Sequence, residues 1–476
     1  MSETITEMIL PGTYIDVRAE GLIGVGGIAT GNVGIVGTAR RGPLNAAVTL
    51  GSYGEALETY GSADRWPDSA GAQAGALTLT RALQHAFAGG ASTVYALRIG
   101  PDAMASGVWN VLDVAAANPP TLFTLTAASP GTWSNDIRIT VAAPAAGPVV
   151  MTVTRDREKE VFNGDDVGAL AAAVNEGSRM LVAGAVAPAD SAKRPRDGVV
   201  AQVTQGGADG TPATATTIAA GLAVLEREPV NIVTVGGEGP ATASAPLLAH
   251  LEATENAGAE RIGVLGASGG VHTVVNGEAA TLRNPRLIFV APGIRADDPA
   301  RAGERNTVVV LPPAYTAALI AGKLASLAPH VSLTNKDLPV AGLQQEYSRA
   351  QMKGLLGNRV LVIKKDLGFR VLKGITTDDA AFKQISVRRT VDFAKEGVRR
   401  GSNPYIGRLN NSRVRSALKA TLDGFLAGMV LDEMLTGYTL AVSATRAQEI
   451  NGQALVTMTL QPTFSIDFVK VIMNLQ

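Results

Sequence analysis

The sequence predicts a multidomain α/β protein with a β-sandwich-like insert and an α+β C-terminal domain, on three observations. Apolar runs at 231–235, 261–266 and 286–291 alternate with helical segments at roughly 30-residue intervals, the pattern of a parallel sheet with crossover helices. Between 104 and 206 the period changes to short alternating runs broken by Pro, Gly and Asp, as in a β-sandwich. The last hundred residues combine an amphipathic helix, a hairpin and a terminal apolar run.

Composition sets the outer bounds. The chain has 476 residues, enough for roughly two to four domains. Hydrophobic residues are 46% and charged residues 18%, which marks folded domains rather than disorder. The net charge is zero, which argues against nonspecific nucleic-acid binding by the whole molecule. Cysteine is absent, so disulfides, thiolate metal sites and thiol nucleophiles are excluded. The first residues, MSETITEMILPG, lack the basic start and long apolar core of a secretory leader, so none is expected. The most apolar segment, 311–327, is interrupted by two prolines and Lys323, which suits a packed helix better than a membrane span.

Each element follows from local pattern. Residues 13–17 (TYIDV) alternate faces as a short strand with no hairpin partner nearby, either an edge of its own domain or a strand for another. A buried strand is expected at 32–37, a short helix at 52–61, a longer helix over 72–88 stopped by Gly89 and Gly90, and a strand at 92–100. The insert offers strands at 121–127, 135–143, 148–156 and 179–186, with one helix at 165–176. A Gly-rich stretch at 204–215 leads back to helices at 215–228, 241–258 and 314–328 around the apolar strands, so 21–103 is expected to pack with 207–370. Residues 359–377 read as two strands joined at a glycine turn.

In the C-terminal segment, Val414, Leu418, Leu422, Phe425 and Met429 share one helical face. Arg413, Ser416, Lys419 and Asp423 lie opposite, and Asn410, Asn411 or Ser412 can cap the start. A strand from Gly437 and Tyr438 pairs across a turn with 454–463, where Val456, Met458 and Leu460 alternate with polar residues. Residues 464–476 are a further strand-like run, and an exposed apolar strand invites a partner.

These stretches carry a resemblance. PGTYIDV, VGIVGTARRGP, EALETYG, SPGTWSNDIRI, VLEREPVNIVTVGG and, above all, NNSRVRSALKATLDGFL and INGQALVTMTLQPTFSIDFVKVI resemble, in this order, the contractile tail sheath proteins of phages, tailocins and related injection systems. The resemblance spans nearly the whole chain, most closely at its two ends and least over 104–206. It implies a subtilisin-like middle domain and a sheath subunit that polymerises around an inner tail tube in a virion tail or injection particle, contracts, and is assembled in the bacterial cytoplasm.

The domains would be an arm at 1–20, an α/β domain split into 21–103 and 207–370 by the insert at 104–206, a tube-facing domain at 371–463 and a second arm at 464–476. Thr13, Tyr14, Ile15 and Val17 in the first arm, and Phe464, Ile466, Phe468, Val469, Val471 and Ile472 in the second, would be donated to neighbours' sheets. Arg413, Arg415, Ser416, Lys419 and Asp423 would face the tube. Implied partners are further copies of the chain, the tube protein, and baseplate and terminator proteins, without cofactor, nucleic acid or membrane insertion.

Two other readings compete. Gly266, Ser268 and Gly270 fit G-x-S-x-G directly after a strand, with Asp297 or Asp298 and His330 following in hydrolase order. Against this, VHTVVNGEAATLRN is a poor helix former by its β-branched start and Asn-Gly pair. The glycines around Gly24 and Gly26 lack a following helix, and no phosphate loop motif occurs. The histidines are scattered without metal-ligand spacing. Asp378 and Asp379 suit a helix N-terminus. The basic run from Lys383 to Lys419 reads either as a solvated helix face or as a surface for an acidic partner.

Overall fold

The computed structural model describes residues 27–67, 77–100, 102–114, 119–203, 206–210 and 212–473. An eight-stranded sheet forms its centre, in the order Ala47–Leu50, Val94–Arg98, Val33–Gly37, Ile232–Val235, Ile262–Gly266, Leu287–Ala291, Val360–Lys365 and Phe369–Val371. The inner strands run parallel, and the first and last strands of that order are antiparallel to their neighbours. Val33–Gly37 pairs with both Val94–Arg98 and Ile232–Val235, so the segments before and after the insert share one sheet.

The strand sequences are continuously apolar because helices cover both faces. Helices Leu79–Gly89 and Pro313–Ala325 pack Leu79, Leu83, Leu319 and Leu324 against one face. Helices Ala215–Leu225, Pro240–Asn256 and Arg349–Gly357 pack Leu222, Leu247, Leu251 and Leu355 against the other. The first pair of helices meets backbone to backbone. A Cβ on Gly322 would lie 1.9 Å from the Ala86 carbonyl oxygen, and one on Gly89 would lie 2.3 Å from that of Leu319. The helix expected over 72–88 begins only at Leu79, after Thr78, with 72–76 outside the described residues. It ends as expected, at a left-handed Gly90 with φ 109°.

The insert holds two antiparallel sheets. One comprises Val108–Leu112, Thr121–Ala127 and Leu181–Ala183, and the other Arg138–Ala142, Val149–Arg155, Glu158–Gly164 and Gly198–Val200. Their inward residues, Trp109, Leu125, Ile139, Met151 and Val153 among them, share one core with Leu170 and Val174 of helix Val167–Gly177.

The GTWSN turn stitches this insert to the main sheet. Trp133 donates its indole N–H to the Ser129 carbonyl at 3.1 Å, and Ser134 Oγ accepts from Gly107 N at 3.0 Å. Asn135 holds Gly207 from both ends of its amide. Buried Arg98 reaches across from its strand to donate to the carbonyls of Gly42 at 3.0 Å and Pro130 at 2.7 Å.

Candidate assembly interface

The C-terminal unit joins the sheet body through helix Ile385–Ser402. Here the basic run has a use that neither sequence reading anticipated: most of its charge is spent inside the chain. Arg286, 1% exposed, grips Asp392 with two nitrogens and Glu255 with one, at 2.6 Å. Arg388 also bonds Asp392. Lys395 bridges Glu255 and Glu260, Arg399 joins Glu260 to Glu396, and Arg400 pairs with Glu396. The Arg286 hydrogen bond holds the Glu255 carboxyl down to about 2. Buried Arg389 donates to the Thr30 and Leu327 carbonyls, each at 3.0 Å, and Arg400 donates to that of Gly27 at 3.1 Å. Asp378 and Asp379 are not at a helix N-terminus: the helix starts at Ile385, and Asp378 instead accepts from Phe382 N at 2.9 Å within the preceding turn.

The second helix, Ser412–Leu431, is capped by Asn411, whose side chain accepts from Val414 N at 2.9 Å. Leu418, Leu422 and Met429 of the expected face are buried with Leu426, and Val414 and Phe425 are half-buried. Phe425 packs on Phe393 of the first helix at 5.8 Å between ring centres. The fit depends on Gly397, where a Cβ would lie 1.9 Å from Phe425 Cζ.

On this pair rests the hairpin Leu435–Ser443 with Leu455–Pro462, in the register Tyr438↔Leu460, Leu440↔Met458 and Val442↔Val456. Tyr438, Leu440 and Leu460 pack on the helices. The connection is more than a turn: helix Arg446–Ile450 forms there with a Thr445/Gln448 capping box. Among the described residues no third strand pairs with the hairpin, so it presents two open edges.

Beyond Pro462 the strand-like run is not a strand of this chain: residues 464–473 form neither helix nor strand. Their apolar side chains face outward, with Phe464 64%, Ile466 81%, Phe468 83%, Val469 79%, Val471 71% and Ile472 72% exposed. Among the described residues no strand pairs with this run. Thr13, Tyr14, Ile15 and Val17 lie outside the described residues.

On the outer face of the second helix, Arg413, Ser416 and Lys419 are exposed. Arg415 and Asp423 are engaged internally. Arg415 pairs with Glu449 at 2.9 Å, and Asp423 accepts the Tyr438 hydroxyl at 2.8 Å. Three polar residues that sequence reasoning passed over meet at the root of the terminal run. Asp467 accepts from Lys373 Nζ at 3.2 Å and Gln384 Nε2 at 3.1 Å. The signal was a single carboxylate inside an otherwise apolar FSIDFV.

The hydrolase residues are not assembled. Helix His272–Thr281 does follow the GASGG turn, contrary to its sequence, because Val275 and Ala279 are buried and tertiary packing overrides propensity. However, the Ser268 hydroxyl bonds Glu278 rather than an imidazole. Asp298 is buried between Arg81, at 3.2 Å, and Arg301, and Asp297 accepts from Thr307 at 2.7 Å.

Residues 377–476 match the phage tail sheath C-terminal domain. No curated protein matches. Three solved structures share the architecture. The sheath tail protein of Desulfitobacterium hafniense is 16% identical over 95% of this chain and 100% of its own, with a TM-score of 0.64. That of Listeria innocua is 14% identical over 92% and 93%, with a TM-score of 0.68. The anti-feeding prophage helical sheath in its contracted state is 13% identical over 98% and 99%, with a TM-score of 0.58. At these identities the likeness is one of fold.

Proposed function

We propose that this chain, whose residues 377–476 match the phage tail sheath C-terminal domain, is a structural subunit of a contractile sheath that polymerises around an inner tube and shortens to drive the tube through a target envelope. The observation that carries the reading is the combination of a hairpin with open edges and an exposed apolar run that, among the described residues, pairs with no strand. A run on one copy completing the hairpin of the next is β-augmentation, and head-to-tail repetition of that contact builds helical or stacked-ring assemblies. Residues 13–17 would serve as a second donated strand.

In this account 371–463 faces the tube through Arg413, Ser416 and Lys419, with Arg415 and Asp423 shaping that helix. The split α/β segments, 21–103 and 207–370, form a body of subtilisin-like topology, and 104–206 an outer insert. Contraction is a rigid-body rearrangement of subunits whose strand links persist, with energy stored at assembly rather than drawn from nucleotide hydrolysis. Tube, terminator and baseplate proteins would be the partners, in a particle assembled in the bacterial cytoplasm. Electron microscopy of the purified chain tests the reading: long hollow cylinders support it, and discrete small particles at all concentrations reject it.

A further inference from the structure

We propose that Asp467 is a departure clamp, a positioning residue that holds the C-terminal arm off its own hairpin and fixes which face the arm presents. The inference rests on the strand-donor reading above. Thr463 N is tied to the Met434 carbonyl at 3.1 Å, at the foot of the hairpin. Asp467 is tied to Lys373, beside the sheet body, and to Gln384, the N-cap position of helix Ile385–Ser402. Ser465 N donates to the same Gln384 side chain at 3.3 Å. With Thr463 held at the foot of the hairpin and Asp467 held at the body, residues 464–466 run from one to the other and not back along the hairpin's free edge.

The clamp also selects a face. Ser465 and Asp467 are half-buried against the body, while Phe464, Ile466 and Phe468 are 64%, 81% and 83% exposed, Phe464 and Phe468 at the rims of the clefts beside Asp467. Lys373 strengthens the arrangement by standing 5.0 Å from the Phe468 ring centre, a cation–π contact. Clefts of about 320 and 370 Å³ flank the crossing, both bounded by Arg359, Lys373, Ile375 and Asp467, so Asp467 spans a gap rather than lying on a packed surface. In extended chain a slip of one residue exchanges the two faces. Fixing Asp467 therefore fixes the register in which Phe464, Ile466 and Phe468 meet a second copy's hairpin, and it removes ordering cost from that step.

The experiment uses the full chain with Asp467→Ala, and with the charge swap Asp467→Lys/Lys373→Asp. Two quantities are read: amide hydrogen exchange at 465–468 in the unassembled chain, and the concentration threshold for assembly by sedimentation. Asp467→Ala is expected to speed that exchange and raise the threshold about tenfold with unchanged thermal melting, and the swap to return it to within about threefold of the original. A threshold unchanged or lowered by Asp467→Ala overturns the clamp, as does a swap that fails to recover. Deleting 466–476 separates the two ideas. If deletion abolishes assembly while Asp467→Ala does nothing, the clamp alone fails. If deletion leaves assembly intact, the donor reading fails.

Discussion

Arg286 and Asp392 meet in a two-pronged ion pair at the junction of sheet body and C-terminal helices, Nη1 to Oδ2 at 2.8 Å and Nη2 to Oδ1 at 3.1 Å. Arg286 is 1% exposed, so its removal strands partly buried carboxylates. Arg286→Ala is expected to cost about 3 kcal/mol, the low end for a broken buried pair, because Asp392 keeps Arg388. Urea unfolding measures the loss. Hydrogen exchange should locate the loosening in helix Ile385–Ser402, and a change under about 0.5 kcal/mol would contradict the junction's role.

Two glycines in the C-terminal helices should respond oppositely to alanine. Gly397 has no room for a Cβ against Phe425, so Gly397→Ala is expected to destabilise by about 1–3 kcal/mol. Gly424 has open space around it in the interior of Ser412–Leu431, so Gly424→Ala should stabilise by up to about 1 kcal/mol. Paired melts of the two variants check the sign.

Acid should weaken the fold in two windows. Burial, then the charge of Arg81, pushes His85 down to about 4, and burial with Arg261 does the same to His250. A folded pKa below the unfolded value near 6.5 means stability that is complete above about 6.5 and is lost as pH falls through 4. Glu255, held at about 2, contributes above its unfolded value and loses that contribution as pH falls through 2. The urea midpoint should therefore drop between pH 7.5 and 4.5. His85→Leu, which also removes a buried ring nitrogen lacking a partner, should flatten that drop by about 2 kcal/mol.

Ser268→Ala should leave any ester hydrolysis by the preparation unchanged, since its hydroxyl is bonded to Glu278 and the acids of the hydrolase reading are bound elsewhere. Loss of activity confined to that variant would reopen the enzyme reading.

Reversing charge with Arg413→Glu and Lys419→Glu should weaken co-sedimentation with tube more than self-assembly, because both side chains are exposed and neither braces the C-terminal unit. Unchanged tube binding would remove this face from the tube contact.

Much of the fold was legible because its strands are either doubly covered, as Ile262–Gly266 is, or alternating, as Arg138–Ala142 is. Less legible was anything decided by distant residues. The helix after GASGG forms on Val275 and Ala279 against local propensity. The basic run faces acids more than a hundred residues away, as with Lys395 and Glu255 or Arg399 and Glu260, so neither solvent exposure nor an acidic partner could be told from spacing alone. The terminal run looked like a strand because its composition is that of one. Among the described residues no strand pairs with it, and whether a run pairs is decided by distant chain rather than by its own composition.

The central claim is that this outward apolar run joins one copy to the next. Removing 466–476 and imaging the product by electron microscopy tests it most directly. The account predicts a folded chain, with circular dichroism and melting like the full-length protein, that forms no cylinders at concentrations where the full-length protein does. Ordinary cylinders from the shortened chain would contradict it.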